Sequence, residues 1–194
     1  MKIAIVKYNA GNVESVKNAL NRLGVEPVLT DSAKELQMAD KVIFPGVGEA
    51  STAMRYLREK GLDTTIKNLR QPVLGVCLGM QLLGEFSEEN ETQCLGIIPF
   101  QVKKFESNQE KVPHVGWNQI GNVQSKLFEG VPENSFVYFV HSYFVPENPA
   151  TIAACDYIEP FSAAVEFKNF YGVQFHTEKS GAVGEKILEN FLKI

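Results

Sequence analysis

The chain has 194 residues, 44% hydrophobic and 22% charged, with a formal net charge of −4. That is ordinary globular composition, enough for a single domain over 1–194 that buries roughly 70% of its unfolded surface, and it excludes a basic nucleic-acid footprint. No apolar run nears the ~18 residues of a membrane span, and the opening "MKIAIVKYNAGN" turns polar too soon for a signal peptide.

Three cysteines, at 77, 94 and 155, make neither a disulfide framework nor a CxxC metal pair, so a reducing cytoplasm is the expected compartment. "KIAIVK" reads as a buried strand followed by the turn "YNAGN". Val13, Val16, Leu20 and Leu23 then keep helical spacing up to Gly24. "EPVLT" is a second strand, and "DSAKELQ" a short helix with Ser32 and Glu35 at capping-box spacing. "KVIFPGVG" is a third strand running into a glycine-rich loop, and "EASTAMRYLREKG" is a helix closed by Gly61. A short helix over Asp63 to Leu69 leads to the fourth strand, "PVLGV". This β-α-β-α alternation predicts a parallel sheet with helices on both faces.

After residue 95 the texture changes. "IIPFQVKKF", "SFVYFVHSYFV", "TIAACDY", "SAAVEFKN" and "FYGVQFH" read as strands separated by turn signals. A final helix carries Val183, Ile187, Leu188 and Phe191 on one face. The fold class expected is α/β: three layers, α/β/α, with a mostly parallel central sheet and added antiparallel strands.

Gly75-Val76-Cys77-Leu78-Gly79 stands between a predicted strand and a predicted helix, the context of a nucleophile elbow with a thiol as nucleophile. The glycines leave room for a strained backbone, and the helix N-terminus favours a thiolate. A buried structural cysteine is the plainer alternative; Cys94 and Cys155 lack the elbow and are read that way. A thiol nucleophile needs a base held by a third group. His176 ends the strand "YGVQFH" and Glu178 follows two residues later, so extended alternation would point both side chains the same way. His114 and His141 read as satisfied strand histidines. No metal-ligand spacing is present. "PGVG", residues 45–48, closes a strand at its carboxyl end, where ligands bind in parallel sheets. Its N–H groups can face the elbow, Val47 and Gly48 joining the Leu78 amide in an oxyanion hole. A dinucleotide fingerprint at Gly46-Val47-Gly48 is discounted, because it follows the third strand and lacks the final glycine.

"GVCLGMQLL", "FPGVG" and "GVQFHTEKS", in this order and spacing, resemble the class I (triad) glutamine amidotransferases. "KVPHVGWNQI", "YFVHSYFV" and "YNAGN" are similar to the glutaminase subunits of imidazole glycerol phosphate synthases. The resemblance covers essentially the whole chain. It implies that Cys77 attacks the side-chain amide of glutamine, that His176 shuttles the proton and that Glu178 orients the histidine. Gly46, Gln81 and the backbone of His141, Ser142 and Tyr143 would hold the substrate. No metal or organic cofactor is implied. The implied partner is a (β/α)8-barrel cyclase subunit receiving ammonia through a sheltered path, with Asn12, Trp117, Tyr138 and Lys179 at the shared face. Glycines 46 and 48 would let the intervening peptide rotate, so that the glutaminase is nearly silent alone and switches on in the complex. The family usually has proline between the histidine and the glutamate, where this chain has Thr177. The rivals are a glutaminase serving another acceptor (anthranilate, aminodeoxychorismate or pyridoxal phosphate synthesis), a thiol peptidase or hydrolase on the same elbow, and a non-enzymatic binding module.

Overall fold

The computed structural model of the protein describes residues 1–8 and 13–194. Its first half alternates strands and helices: β1 (Ile3–Val6), α1 (Val13–Arg22), β2 (Val28–Thr30), α2 (Ala33–Gln37), β3 (Lys41–Phe44), α3 (Ala50–Glu59), α4 (Leu62–Lys67), β4 (Val73–Val76) and α5 (Leu78–Leu82). The second half adds β5 (Phe86–Ser87), β6 (Thr92–Gln93), β7 (Gln101–Lys104), β8 (His114–Ile120), β9 (Ser135–His141), β10 (Tyr143–Phe144), β11 (Thr151–Asp156), β12 (Pro160–Phe167), β13 (Phe170–Val173) and α6 (Gly181–Lys193).

Seven strands form the central sheet in the order β11-β12-β13-β4-β3-β1-β2. The pairings among β13, β4, β3, β1 and β2 are parallel, and those of β12 with β11 and β13 are antiparallel. β1 shows why its sequence is a continuous apolar run. Ile3 and Ile5 enter one core with Val16 and Leu20 of α1 and Phe191 of α6, while Ala4 and Val6 enter the other with Leu36, Leu57 and Ile66 of α2, α3 and α4. A strand covered on both faces has no solvent side to mark with polar residues. The architecture is the mixed α/β one expected, with helices on both faces of a mostly parallel sheet.

Two smaller sheets flank the carboxyl ends of the central strands. "SFVYFVHSYFV" does not form one strand: it divides at Ser142 into β9, which pairs with β8, and β10, which pairs with β7. β10, β7, β5 and β6 form a four-stranded sheet. The α2 capping box forms by half. Ser32 Oγ accepts from the Glu35 amide at 3.4 Å, but the Glu35 carboxylate takes the Thr30 hydroxyl instead of reaching back to the Ser32 amide. Among the described residues, no helix is long and apolar enough to cross a membrane.

Candidate active site

β4 delivers Cys77 into the first position before α5 with φ 53° and ψ −110°. A non-glycine residue held there costs on the order of 1–3 kcal/mol, so its surroundings must hold it. They do so by close packing. The Cys77 amide is fixed to the Val173 carbonyl at 2.8 Å. A Cβ on Gly75 would lie 2.7 Å from Gly79 and Met80 backbone atoms, and one on Gly79 would overlap the Phe44 carbonyl. The glycines on either side of the thiol are therefore required by backbone crowding.

His176 Nδ1 lies 2.8 Å from Glu178 Oε1, and both side chains are buried. The route differs from strand alternation. β13 ends at Val173, and Thr177–Lys179 is a single 3₁₀ turn that brings the carboxylate under the ring. Burial acts to lower the His176 pKa, but hydrogen bonding and charge from Cys77 and Glu178 outweigh it and raise it to about 10. With Nδ1 committed to Glu178, Nε2 serves the thiol. An imidazolium is the counter-ion a thiolate nucleophile requires. The histidine backbone is pinned as well: His176 N donates to Tyr138 O at 2.9 Å, Tyr138 N to Ser180 Oγ at 3.0 Å, and Ser180 Oγ to His176 O at 2.6 Å. Thr177, which stands where the family usually has proline, is buried, and its hydroxyl has no hydrogen-bond partner among the described residues.

The 45–48 loop lies against the elbow with its Gly46 carbonyl turned towards α5. The Leu78 amide does not wait for an oxyanion; it donates to the Gly46 carbonyl at 3.3 Å. In a trans peptide the carbonyl and the next N–H point in opposite directions, so Val47 N–H faces away from the elbow. Of the amides expected to serve an oxyanion, that of Leu78 is occupied and that of Val47 is turned out. The loop is held from beneath by Tyr8, whose buried hydroxyl donates to Pro45 O at 2.6 Å and occupies the space a Gly46 side chain would need. Gly48, at φ 120°, permits a backbone that other residues resist.

A cavity of about 320 Å³ opens on these groups, and Val47, Gly48, Cys77, His141, Ser142 and Tyr143 line it. Gln81 also lines it, but both hydrogens of its amide are spent inward, on Tyr143 O at 2.8 Å and on Gln174 Oε1 at 2.9 Å. Only its oxygen is left for a substrate. His141 is paired with His114 directly across the β8–β9 ladder, with 3.0 Å between ring nitrogens. The other His141 nitrogen faces the Tyr143 carbonyl at 2.8 Å and must carry a proton, which makes His114 the donor between the rings. Burial lowers the pKa to about 4 at His114 and about 3 at His141, so the pair is neutral near pH 7. Sequence reasoning missed Glu89, the one carboxylate lining this cavity among the described residues. It sits in the acidic run "EFSEEN", where a solvated charge is the natural reading. Its oxygen accepts from the Ala50 amide at 2.7 Å, and burial raises its pKa.

Of the four residues expected at a partner face, Asn12 lies outside the described residues. The other three cluster. Trp117 is 56% exposed and meets Tyr138, its cross-strand neighbour, edge to face at 5.9 Å; Lys179 Nζ lies 5.8 Å over the Tyr138 ring. Val115, Phe136 and Val140 are exposed on the same outer face of the β8–β9 ribbon.

An elbow thiol, a histidine and a buried carboxylate at the carboxyl end of a parallel sheet define a triad amidohydrolase. Residues 4–194 match the family of class I glutamine amidotransferases, and the chain belongs to that family. It is 60% identical to imidazole glycerol phosphate synthase subunit HisH of Bacteroides thetaiotaomicron and 48% identical to that of Escherichia coli, in both cases over 100% of each chain. Solved structures agree on the fold. A glutamine amidotransferase from Thermotoga maritima superposes with a TM-score of 0.65 at 17% identity, covering 100% of this chain and 83% of the other. PurLQS from the same organism gives 0.72 at 17% identity, covering 99% and 97%.

Proposed function

We infer that this chain is the glutaminase subunit of imidazole glycerol phosphate synthase, hydrolysing glutamine to glutamate and ammonia for a cyclase subunit. The observation that carries this reading is that Cys77 and His176 line the cavity with Glu178 behind His176, in a chain similar over its whole length to subunits of that name. Cys77 gives its proton to His176 Nε2, and the sulfur attacks the glutamine carboxamide carbon, whose π pair moves onto oxygen. The imidazolium returns that proton to the departing nitrogen, so ammonia leaves and a glutamyl thioester remains. A water molecule then loses a proton to His176 and attacks the thioester. Collapse expels the Cys77 thiolate, and glutamate is released. Glu89 is placed to receive the substrate α-ammonium.

The oxyanion needs donors that this state does not offer. Rotation of the Gly46–Val47 peptide supplies both at once, because it frees the Leu78 amide and turns Val47 N–H inward. Each such donor is worth about 10²–10³ in rate. The trigger fits a docking event on the outer face of the β8–β9 ribbon, where Trp117, Tyr138 and Lys179 cluster and where the Tyr138 backbone is tied to His176. The occupant assigned to that face is a (β/α)8-barrel cyclase subunit, which takes the ammonia along a path sheltered from protonation by water. Cys77→Ala in the assembled complex tests the division of labour. Glutamine-dependent synthesis should vanish while ammonia-dependent synthesis by the cyclase survives; loss of both in a folded, associated complex would overturn it.

A further inference from the structure

We propose that Gln174 is a catalytic residue: its side-chain amide donates a hydrogen bond to the Cys77 sulfur and stabilises the thiolate. Gln174 lies two residues before His176, is fully buried, and has Nε2 3.6 Å from Cys77 Sγ. The inference rests on the glutaminase reading only in naming the reaction that the thiolate performs.

The polarity of this contact is fixed by its neighbours. The Tyr143 carbonyl can only accept, so the Gln81 atom facing it at 2.8 Å must be the nitrogen. The second hydrogen of that nitrogen points at Gln174, which must therefore present its oxygen at 2.9 Å. What remains to Gln174 is an NH₂ group, and it faces the sulfur. Reversing either amide would set two acceptors or two donors against each other inside a buried site, each a full desolvation penalty. The chain is anchored at its far end, because His141 also donates to the Tyr143 carbonyl, at 2.8 Å.

A donor held at the sulfur acts on one side of the proton transfer. While Cys77 is a thiol, its hydrogen can be given to the Val140 carbonyl, 3.8 Å away, or to His176. Once that proton has passed to His176 Nε2, the sulfur is an anion that accepts, and the Gln174 N–H meets it without moving. Hydrogen bonds to charged groups exceed those to neutral ones, so the bond favours the thiolate. The pair also survives the thioester stage, since the sulfur is again the leaving anion when the intermediate collapses. Glutamine suits the position because it can both accept from Gln81 and donate to sulfur; no other uncharged side chain of that length does both.

The test is the pH profile of Cys77 carbamidomethylation by iodoacetamide, read at the Cys77 peptide by mass spectrometry, in full-length wild type, Gln174→Met and Gln174→Glu. In the methionine variant the midpoint should rise by about one pH unit, a tenfold loss of thiolate at lower pH, and in the liganded complex kcat for glutamate release should fall about tenfold with KM little changed. The glutamate variant, which keeps the shape but sets an oxygen against the sulfur, should shift further. Midpoints that superimpose on wild type in variants that unfold cooperatively would overturn the proposal. Should neither variant fold, unaltered protein labelled with ¹⁵N at glutamine decides: the Gln174 side-chain amide resonance should titrate with the Cys77 midpoint, and a resonance indifferent to it overturns the proposal. Glutamate release by wild type assembled with a cyclase subunit and a nucleotide ligand tests the glutaminase reading separately, since the alkylation profile does not involve glutamine.

Discussion

Acid should destabilise this protein through two buried histidines. His114 and His141 are buried as a neutral hydrogen-bonded pair, with pKa values lowered by burial to about 4 and about 3 against an unfolded value of 6.5. Protonating His141 at Nε2 would set two N–H groups head to head across 3.0 Å. Protonating His114 at Nε2 would turn that nitrogen against the Asn118 amide, 3.4 Å away. Because the folded pKa values lie below the unfolded one, their stabilisation is complete above about pH 6.5 and is lost as pH falls towards 4 and 3. From pH 7 to pH 5 each histidine costs about 2 kcal/mol, a large share of a typical 5–15 kcal/mol. His176 contributes with the opposite sign in this window, since its pKa is raised. A comparison with His114→Gln removes it, because His176 is common to both proteins. Glutamine can still donate to His141 and accept from Asn118, but it does not titrate. Urea melts should show the wild type losing about 2 kcal/mol more than the variant between pH 7 and pH 5, roughly 1 M in midpoint at an m-value of about 2 kcal/mol/M. Parallel pH dependences in the two proteins would refute the neutral-pair argument.

Three further outcomes follow from the same geometry. Gly79→Ala sets a Cβ into the Phe44 carbonyl and should cost at least about 3 kcal/mol in a urea melt, whereas Gly121→Ala, with 3.6 Å of clearance to Glu133, should be close to neutral. Thr177→Pro should raise thermal stability by about 0.4–1 kcal/mol and leave glutamate release within roughly twofold. Thr177 is the first residue of its 3₁₀ turn, His176 before it is already extended at φ −87° and ψ 104°, and the hydroxyl removed has no partner among the described residues. In the complex, His176→Ala should lose about 10- to 100-fold more glutaminase activity than Glu178→Ala, because the base exchanges protons while the carboxylate orients it; the reverse ranking in a glutamate-release assay would show the roles misassigned.

The parallel half of the fold was legible because β1, β3 and β4 are buried on both faces and α1 and α3 stop at glycines. Gly24 and Gly61 do adopt left-handed φ values of 76° and 66°. The elbow was legible because backbone crowding there admits little but glycine at 75 and 79. The β8–β9 ribbon was harder. Its outer face is apolar where solvent-facing residues are ordinarily polar, so alternation does not reveal which side is the core. Pairing of His176 with Glu178 was expected from extended alternation but comes from a 3₁₀ turn, which two-residue spacing cannot distinguish. The Leu78–Gly46 bond joins the first residue of α5 to the loop after β3 and leaves no trace in either segment alone. Glu89 was hidden in an acidic run. Gln174 had a signal in the sequence: a polar residue in the apolar stretch "YGVQFH", two positions before His176.

The most direct test of a triad held off by a closed oxyanion hole is steady-state glutamate release by the isolated chain, by the chain with the proposed cyclase subunit, and by that complex with a nucleotide ligand of the cyclase bound. Release by the isolated chain should be lower than that of the liganded complex by at least about 10²–10³-fold, the worth of a single missing donor, with the change in kcat. Full activity in the isolated chain, unaltered by partner or ligand, would contradict it.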